Sequence, residues 1–200
     1  RLQSELEYGI TDRLELGLYL QYKVDPGAPM AFDGTKQRLR YRFAESGEWP
    51  IDVALYGEIV EKPDELEFEE RLILSRRFGK LRAIANIRFE QELEHFEAEE
   101  MEHVFFPSFG LTHELSPQLH LGAEYWMRTV LAHEEEGTSS AADEFNEKPH
   151  HFVGPALLAN FGKLWWTNGA YYRLDHTSRA VQLGDEYGHV VVRSVVGVDL

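Results

Sequence analysis

Leu14, Leu16, Leu18, Leu20 and Tyr22 are apolar at every second position, with Glu15, Gly17, Tyr19, Gln21 and Lys23 alternating with them. A period of two sends successive side chains to opposite faces, which is the geometry of a β-strand. The same beat recurs in segments of about ten residues, the length at which a tilted strand crosses the hydrocarbon core of a membrane. No run of eighteen apolar residues occurs, so a helical span is excluded.

Eleven strands are read this way: 2–10, 14–24, 35–44, 51–61, 66–78, 81–93, 102–115, 118–132, 151–161, 164–174 and 189–200. Turn chemistry separates them: Thr11-Asp12-Arg13, Glu45-Ser46-Gly47-Glu48, Gly79-Lys80, Ser116-Pro117 and Gly162-Lys163 on one side. Longer polar stretches at 25–34, 94–101, 133–149 and 175–188 follow on the other, and connection lengths are expected to alternate short and long without exception. The fragment Phe78-Gly79-Lys80-Leu81 returns as Phe161-Gly162-Lys163-Leu164, a shared turn solution and not a duplicated domain. A helix competes at 66–77, rich in Glu, Leu and Arg, and at 92–102. Leu66, Phe68, Leu72 and Leu74 keep period two, which favours a strand in the first case.

The expected fold is therefore all-β: one antiparallel up-and-down transmembrane β-barrel domain over residues 1–200. If tight turns are periplasmic and long loops extracellular, the first strand starts outside. Such barrels have an even strand number and both ends in the periplasm, so a twelfth strand is expected before Arg1. Val190, Val192, Ser194, Val196, Val198 and Leu200 occupy alternate positions of the last strand. This resembles the terminal strand of outer-membrane proteins, which usually finishes in Phe, with Leu200 as a departure.

Alternation also assigns faces. Leu39, Tyr41 and Phe43 share one face, as do Ile51, Val53, Leu55 and Ile59, then Leu81, Ala83, Ala85, Ile87 and Phe89, then Leu119, Leu121, Ala123 and Tyr125. A soluble sandwich would turn that face inward, whereas a membrane barrel turns it out. Long strands, and aromatics at strand ends such as Tyr8, Tyr22, Phe43, Phe78, Phe89, Phe161 and Tyr172, favour the membrane.

The opposite face carries both signs of charge. Arg38, Arg40 and Arg42 are expected to meet Glu58 on the next strand. Arg71, Arg82 and Arg88 are expected to meet Glu67, Glu69, Glu90 and Glu92, with Glu124 and Arg128 on the same face further along. These residues form either a charged, solute-selecting lumen or a closed interior packed by ion pairs. Thirty-five acidic residues against 20 basic ones give a formal charge of −15, which argues against a nucleic-acid partner. With no cysteine, disulfides and thiolate sites are excluded.

The stretch from Glu5 through Tyr8-Gly9-Ile10-Thr11-Asp12-Arg13-Leu14-Glu15 to Gly17 resembles a hairpin of proteobacterial outer-membrane barrels, among them a transporter group associated with the meta-pathway of phenol degradation. Leu115-Ser116-Pro117-Gln118-Leu119-His120-Leu121-Gly122 echoes the same hairpin. The resemblance implies an outer-membrane location and small-molecule transport, and it carries no catalytic residues. The partners expected are outer-membrane lipid and lipopolysaccharide, the barrel-assembly machinery and small solutes.

Other chemistry is thinner. His95, His103 and His133 lie near Glu97, Glu99, Glu100 and Glu134 to Glu136, but no tight metal-ligand spacing occurs. A specific metal site and a cofactor are therefore not expected, although acidic loops attract divalent cations weakly. A lipid-modifying hydrolase would need a nucleophile and base within reach. Asp175-His176 with Ser178, or His133 with Asp143, are the candidates. Ser194 on the apolar face and His189 with Tyr187 are weaker ones. The loop 133–149, acidic and rich in small residues, suits a partner-binding surface.

Overall fold

The computed structural model describes residues 2–24, 27–94, 100–135, 149–175 and 188–199. They form twelve strands: β1 (Leu2–Gly9), β2 (Leu14–Lys23), β3 (Ala31–Arg42), β4 (Asp52–Glu61), β5 (Glu65–Phe78), β6 (Leu81–Glu94), β7 (Glu100–Phe105), β8 (Ser108–Ser116), β9 (Leu119–Glu135), β10 (His150–Phe161), β11 (Leu164–Arg173) and β12 (Val190–Val198). All belong to one antiparallel up-and-down sheet, and no helix forms among the described residues. The 66–77 segment is strand, as its period of two requires. The sheet path runs from β1 to β12, and among the described residues no β1–β12 ladder closes it into a barrel.

The count of twelve arises because the seventh expected strand breaks in two at Phe106-Pro107. Both pieces pair with β6: Phe89–Glu94 with β7 and Leu81–Asn86 with β8. Proline has no N–H for a ladder, so it interrupts a strand. The backbone stays satisfied across the break, since Phe106 N donates to Arg88 O at 2.9 Å and Met127 N to Pro107 O at 3.0 Å.

β3 starts at Ala31, not Thr35, so the 25–34 loop is shorter than expected. Asp33-Gly34, which looks like a turn, is a bulge: Gln21 faces Gly34 and Tyr22 faces Phe32, leaving Asp33 as the extra residue. Gly34 has φ 153°, and a Cβ there would lie 2.3 Å from the Glu61 carbonyl oxygen. Glycine is required there for both reasons. β9 likewise runs to Glu135, into the expected 133–149 loop. Connection lengths do not alternate strictly, because 43–51 on the short-turn side is longer than 62–64 on the other.

The first hairpin explains its own motif. Thr11 Oγ1 accepts from Arg13 N at 3.2 Å and Leu14 N at 3.0 Å, while Ile10 N donates to Leu14 O at 2.8 Å. In the echoing hairpin, Ser116 Oγ accepts from Gln118 N at 3.3 Å, the same hydroxyl-to-second-amide bond. Gly79 and Gly162 hold matching positive φ angles of 61° and 77°, so the repeated Phe-Gly-Lys-Leu fragment is one turn used twice.

Residues group into two compact units: Arg1–Leu74, Ile87–Phe106 and Val130–Glu147 in one, and Ser75–Asn86, Pro107–Thr129 and Lys148–Leu200 in the other. In both, the sheet is inside out relative to a soluble sandwich. Leu18, Leu20, Leu39, Leu55 and Phe89 are exposed in the first unit, and Phe109, Leu121, Tyr172 and Val192 in the second. Arg38, Glu58, Glu69 and Glu90 are buried in the first, and His150 and Arg173 in the second. Of the expected strand-end aromatics, Tyr8, Phe78, Phe89, Phe161 and Tyr172 are exposed on the apolar face.

Candidate functional site, the charged face of the sheet

In the first unit the site grows from β3, whose alternation aims Lys36, Arg38 and Arg40 at one face. Arg38 is the hub. Its guanidinium contacts Glu7, with Glu15 at 2.7 Å and Glu5 at 3.1 Å, and lies over the Tyr19 and Tyr56 rings. It is 8% exposed. The long side chain lies flat because Gly17, opposite it in the ladder, has no side chain: a Cβ there would sit 2.4 Å from Arg38 Nε. One buried cation facing three carboxylates leaves the hub acidic. Such a charge is tolerated only while its partners remain.

Glu58 stands directly opposite Arg38 in the β3–β4 ladder. Its partners are instead Lys36 Nζ at 3.0 Å and the Tyr56 hydroxyl at 2.6 Å. The expected Arg38–Glu58 pair is therefore replaced, because Arg38 turns toward β1 and β2 and the shorter-reaching Lys36 takes Glu58. Arg40 pairs with Glu15. Arg42 is drawn out of the network to the turn, donating to the Asp12 carbonyl and to Glu45 at 3.2 Å.

Glu69 bridges two arginines. Arg71 bonds it and stacks on Tyr56, while Arg88 Nε lies 3.0 Å from its other oxygen, also pairing with Glu90 and stacking on Phe106. Glu67 leaves the expected arginine partners for Lys62, whose Nζ also lies 2.7 Å from Glu65. Burial disfavours the Lys62 ammonium, but the two carboxylates overcome it and raise the group above its ordinary value. Glu92 sits on β6 opposite Glu102.

In the second unit, Arg82 bonds the Ser75 hydroxyl at 3.1 Å, where a carboxylate partner was expected. Glu124 accepts from the Tyr171 hydroxyl and pairs with Arg193 at 2.9 Å. Arg128 lies opposite His150 on β9. A cluster that alternation does not reveal lies at the strand ends: Arg173, His150 and Asp175. Arg173 Nε is 2.9 Å from Asp175 Oδ2, His150 Nδ1 is 3.2 Å from it, and Arg173 Nη2 contacts His150 Nδ1. Nδ1 accepts from Arg173 when it is unprotonated and donates to Asp175 when it carries the ring proton. Trp126 and Phe152 stack at 3.9 Å, and Arg173 lies over the Phe152 ring. Although its burial opposes ionisation, the His151 amide and the Arg173 and His150 side chains hold the Asp175 carboxyl at about 2.

Several expected residues fall outside the description. His176, Ser178, Tyr187, Asp143, His95, Glu97, Glu99, Glu136 and Leu200 lie beyond the described residues, as do most of 133–149 and 175–188. His103 is on β7 opposite Gln91. Ser194 accepts from Trp166 Nε1 at 2.9 Å, so it is engaged on the apolar face. Among the described residues, no three His, Asp or Glu side chains converge as a metal site.

The residues missed were Glu5, Glu7, Glu15, Tyr19, Lys62, Tyr171 and Arg193, while alternation already puts Lys36 and Tyr56 on the polar face. Most follow the same alternation one or two strands away, so extending the polar face through β1 and β2 finds Glu5, Glu7 and Tyr19. No protein-family model matches the chain, and no curated protein sequence matches it.

Proposed function

We propose that the chain is an outer-membrane β-barrel that passes small solutes along its charged face. The observation that carries this reading is the inverted sheet. Large apolar side chains such as Leu39 (50% exposed) and Leu55 (49%) are uncovered, while Arg38, Glu58 and Glu69 are buried. In water, that arrangement forfeits hydrophobic burial and desolvates charge at once. In a bilayer, the apolar face meets acyl chains and the charged face lines the interior. On this reading the sheet closes into a barrel, the polar loops face outward among lipopolysaccharide and weakly held divalent cations, and the barrel-assembly machinery inserts it.

Detergent is the direct test. Extraction only with detergent, together with a heat-dependent change of gel mobility, supports the reading. Full recovery in detergent-free buffer as a monodisperse folded chain sinks it.

A second reading has its own support. Arg38, Glu58, Glu69 and Glu90 are buried by mutual ion pairs and by Tyr19 and Tyr56, which is how a plugged interior looks. Planar-bilayer recordings separate the two: stepwise conductance supports passage, and a baseline that stays flat with inserted protein supports a closed structural barrel. Of the hydrolase candidates, Asp175 is engaged by Arg173, His150 and the His151 amide, while His176, Ser178 and Asp143 lie outside the described residues.

A further inference from the structure

The second unit holds a cavity of about 290 Å³ on the charged face. Its polar lining includes Arg77 at the end of β5, Lys80 in the following turn, Arg82 on β6, Thr112 on β8, His120 on β9 and Arg193 on β12. Arg82 and Thr112 are ladder partners, as are Glu114 and His120. The register therefore gathers these groups, which are scattered through the sequence.

The charge here is not balanced as it is in the first unit. Arg77 is answered by Glu114, and Arg193 by Glu124, whose second claim is the Tyr171 hydroxyl. Arg82 donates through Nε to the neutral Ser75 hydroxyl at 3.1 Å, and neither Arg82 nor Lys80 has an ion-pair partner among the described residues. Four formal cations thus line the cavity with one carboxylate, Glu124. This occurs in a chain of net charge −15, where Arg38 faces three carboxylates. An arginine whose terminal nitrogens are uncommitted presents a planar fork matched to carboxylate or phosphate, and a neighbouring ammonium adds a point charge. The volume holds about ten waters at about 30 Å³ each, enough for a small organic acid.

We propose that this cavity binds a small anion through a carboxylate or phosphate group, held by Arg82 and Lys80 with Thr112 and His120 beside it. The inference rests on the solute-passing reading only for the route by which the anion arrives. Binding itself requires no conductance, so a flat bilayer baseline with intact binding would fault the route and not the site.

The test uses the full chain in a non-ionic detergent, which brings no competing anion. Amide NMR shifts of Arg82, Thr112 and His120 are followed while inorganic phosphate or acetate is added, with tetramethylammonium as the cation control. Saturable shifts with either anion and none with the cation are expected, and the stronger anion assigns the group recognised. Arg82→Gln should weaken binding about tenfold, the loss of one charge-assisted contact, whereas Arg82→Lys should recover part of it. Lys163→Gln, which removes a cation from the equivalent turn of the β10–β11 hairpin, should change nothing. If Arg82→Gln does not assemble, Lys80→Gln carries the same expectation from an exposed turn position. Shifts that never saturate, or equal weakening by Arg82→Gln and Lys163→Gln, would overturn the site.

Discussion

Arg38 concentrates the electrostatics of the first unit in one side chain. Removing a buried cation while its carboxylates stay leaves uncompensated charge, which costs more than the pair itself contributes. Arg38→Gln should therefore lower stability by about 3 kcal/mol in denaturant unfolding from lipid or detergent. Arg38→Lys should recover only part, because a point charge cannot serve Glu5, Glu7 and Glu15 as a fork does. An unchanged unfolding midpoint for Arg38→Gln would remove the hub from the account. Asp175 gives a pH signature of known sign. Its carboxyl is held at about 2 against an ordinary value of 3.8, so the folded state favours the ionised form. The stabilisation is complete above about pH 4 and is lost as pH falls through 2. The denaturation midpoint should drop across that window, and the part due to Asp175 should vanish in Asp175→Asn. Equal acid sensitivity in the variant would exclude the Arg173–His150–Asp175 cluster as its source.

At the scale of the element, the bulge in β3 is the most sensitive point of the backbone. A Cβ on Gly34 meets the Glu61 carbonyl, which is part of the neighbouring strand and cannot swing away as a side chain would. Gly34→Ala should cost about 2–3 kcal/mol and shift the β3–β4 ladder, visible as faster amide exchange at Thr35 and Glu61. Wild-type stability and exchange would show that the bulge relaxes freely. The same bulge marks the limit of what the sequence tells. Period two located the strands apart from the division between β7 and β8, and it sorted the faces of Leu39 and Arg38, because exposed Leu39 and buried Arg38 differ by one step of the pleat. It failed where local chemistry has two uses. Asp-Gly serves a turn or a bulge, and Pro107 was hidden inside a segment whose flanks both alternate. Charge partners were legible as a set but not as pairs: Arg38 has the reach to choose among Glu58, Glu7 and Glu15, and only the packing over Gly17 decides. The Arg173–His150–Asp175 cluster needs the register of β10 on β11, which no single strand encodes.

For the whole molecule, the question is which medium meets the apolar face, and two outward positions answer it with opposite signs. Leu55 lies across from Tyr41 on that face, and Glu70 on β5 stands exposed among Leu39, Leu55, Leu72, Ile87 and Phe89, a lone carboxylate in an apolar field. If the face contacts lipid, Leu55→Arg brings a charge into hydrocarbon and should destabilise by about 2–4 kcal/mol in reversible unfolding from bilayers, less toward the interface. Glu70→Leu should do the reverse by a smaller amount, because it removes a carboxylate already standing among apolar side chains. If the face contacts water, an arginine on an exposed strand surface is nearly neutral, within about 0.5 kcal/mol. Glu70→Leu would then enlarge an exposed apolar patch and promote aggregation. The pair controls for folding defects that a single variant cannot exclude, since generic disruption lowers stability in both and only a lipid-facing surface separates their signs. Stabilisation by Glu70→Leu together with loss in Leu55→Arg places the apolar face in the bilayer. Neutrality of Leu55→Arg with an aggregating Glu70→Leu returns it to solvent.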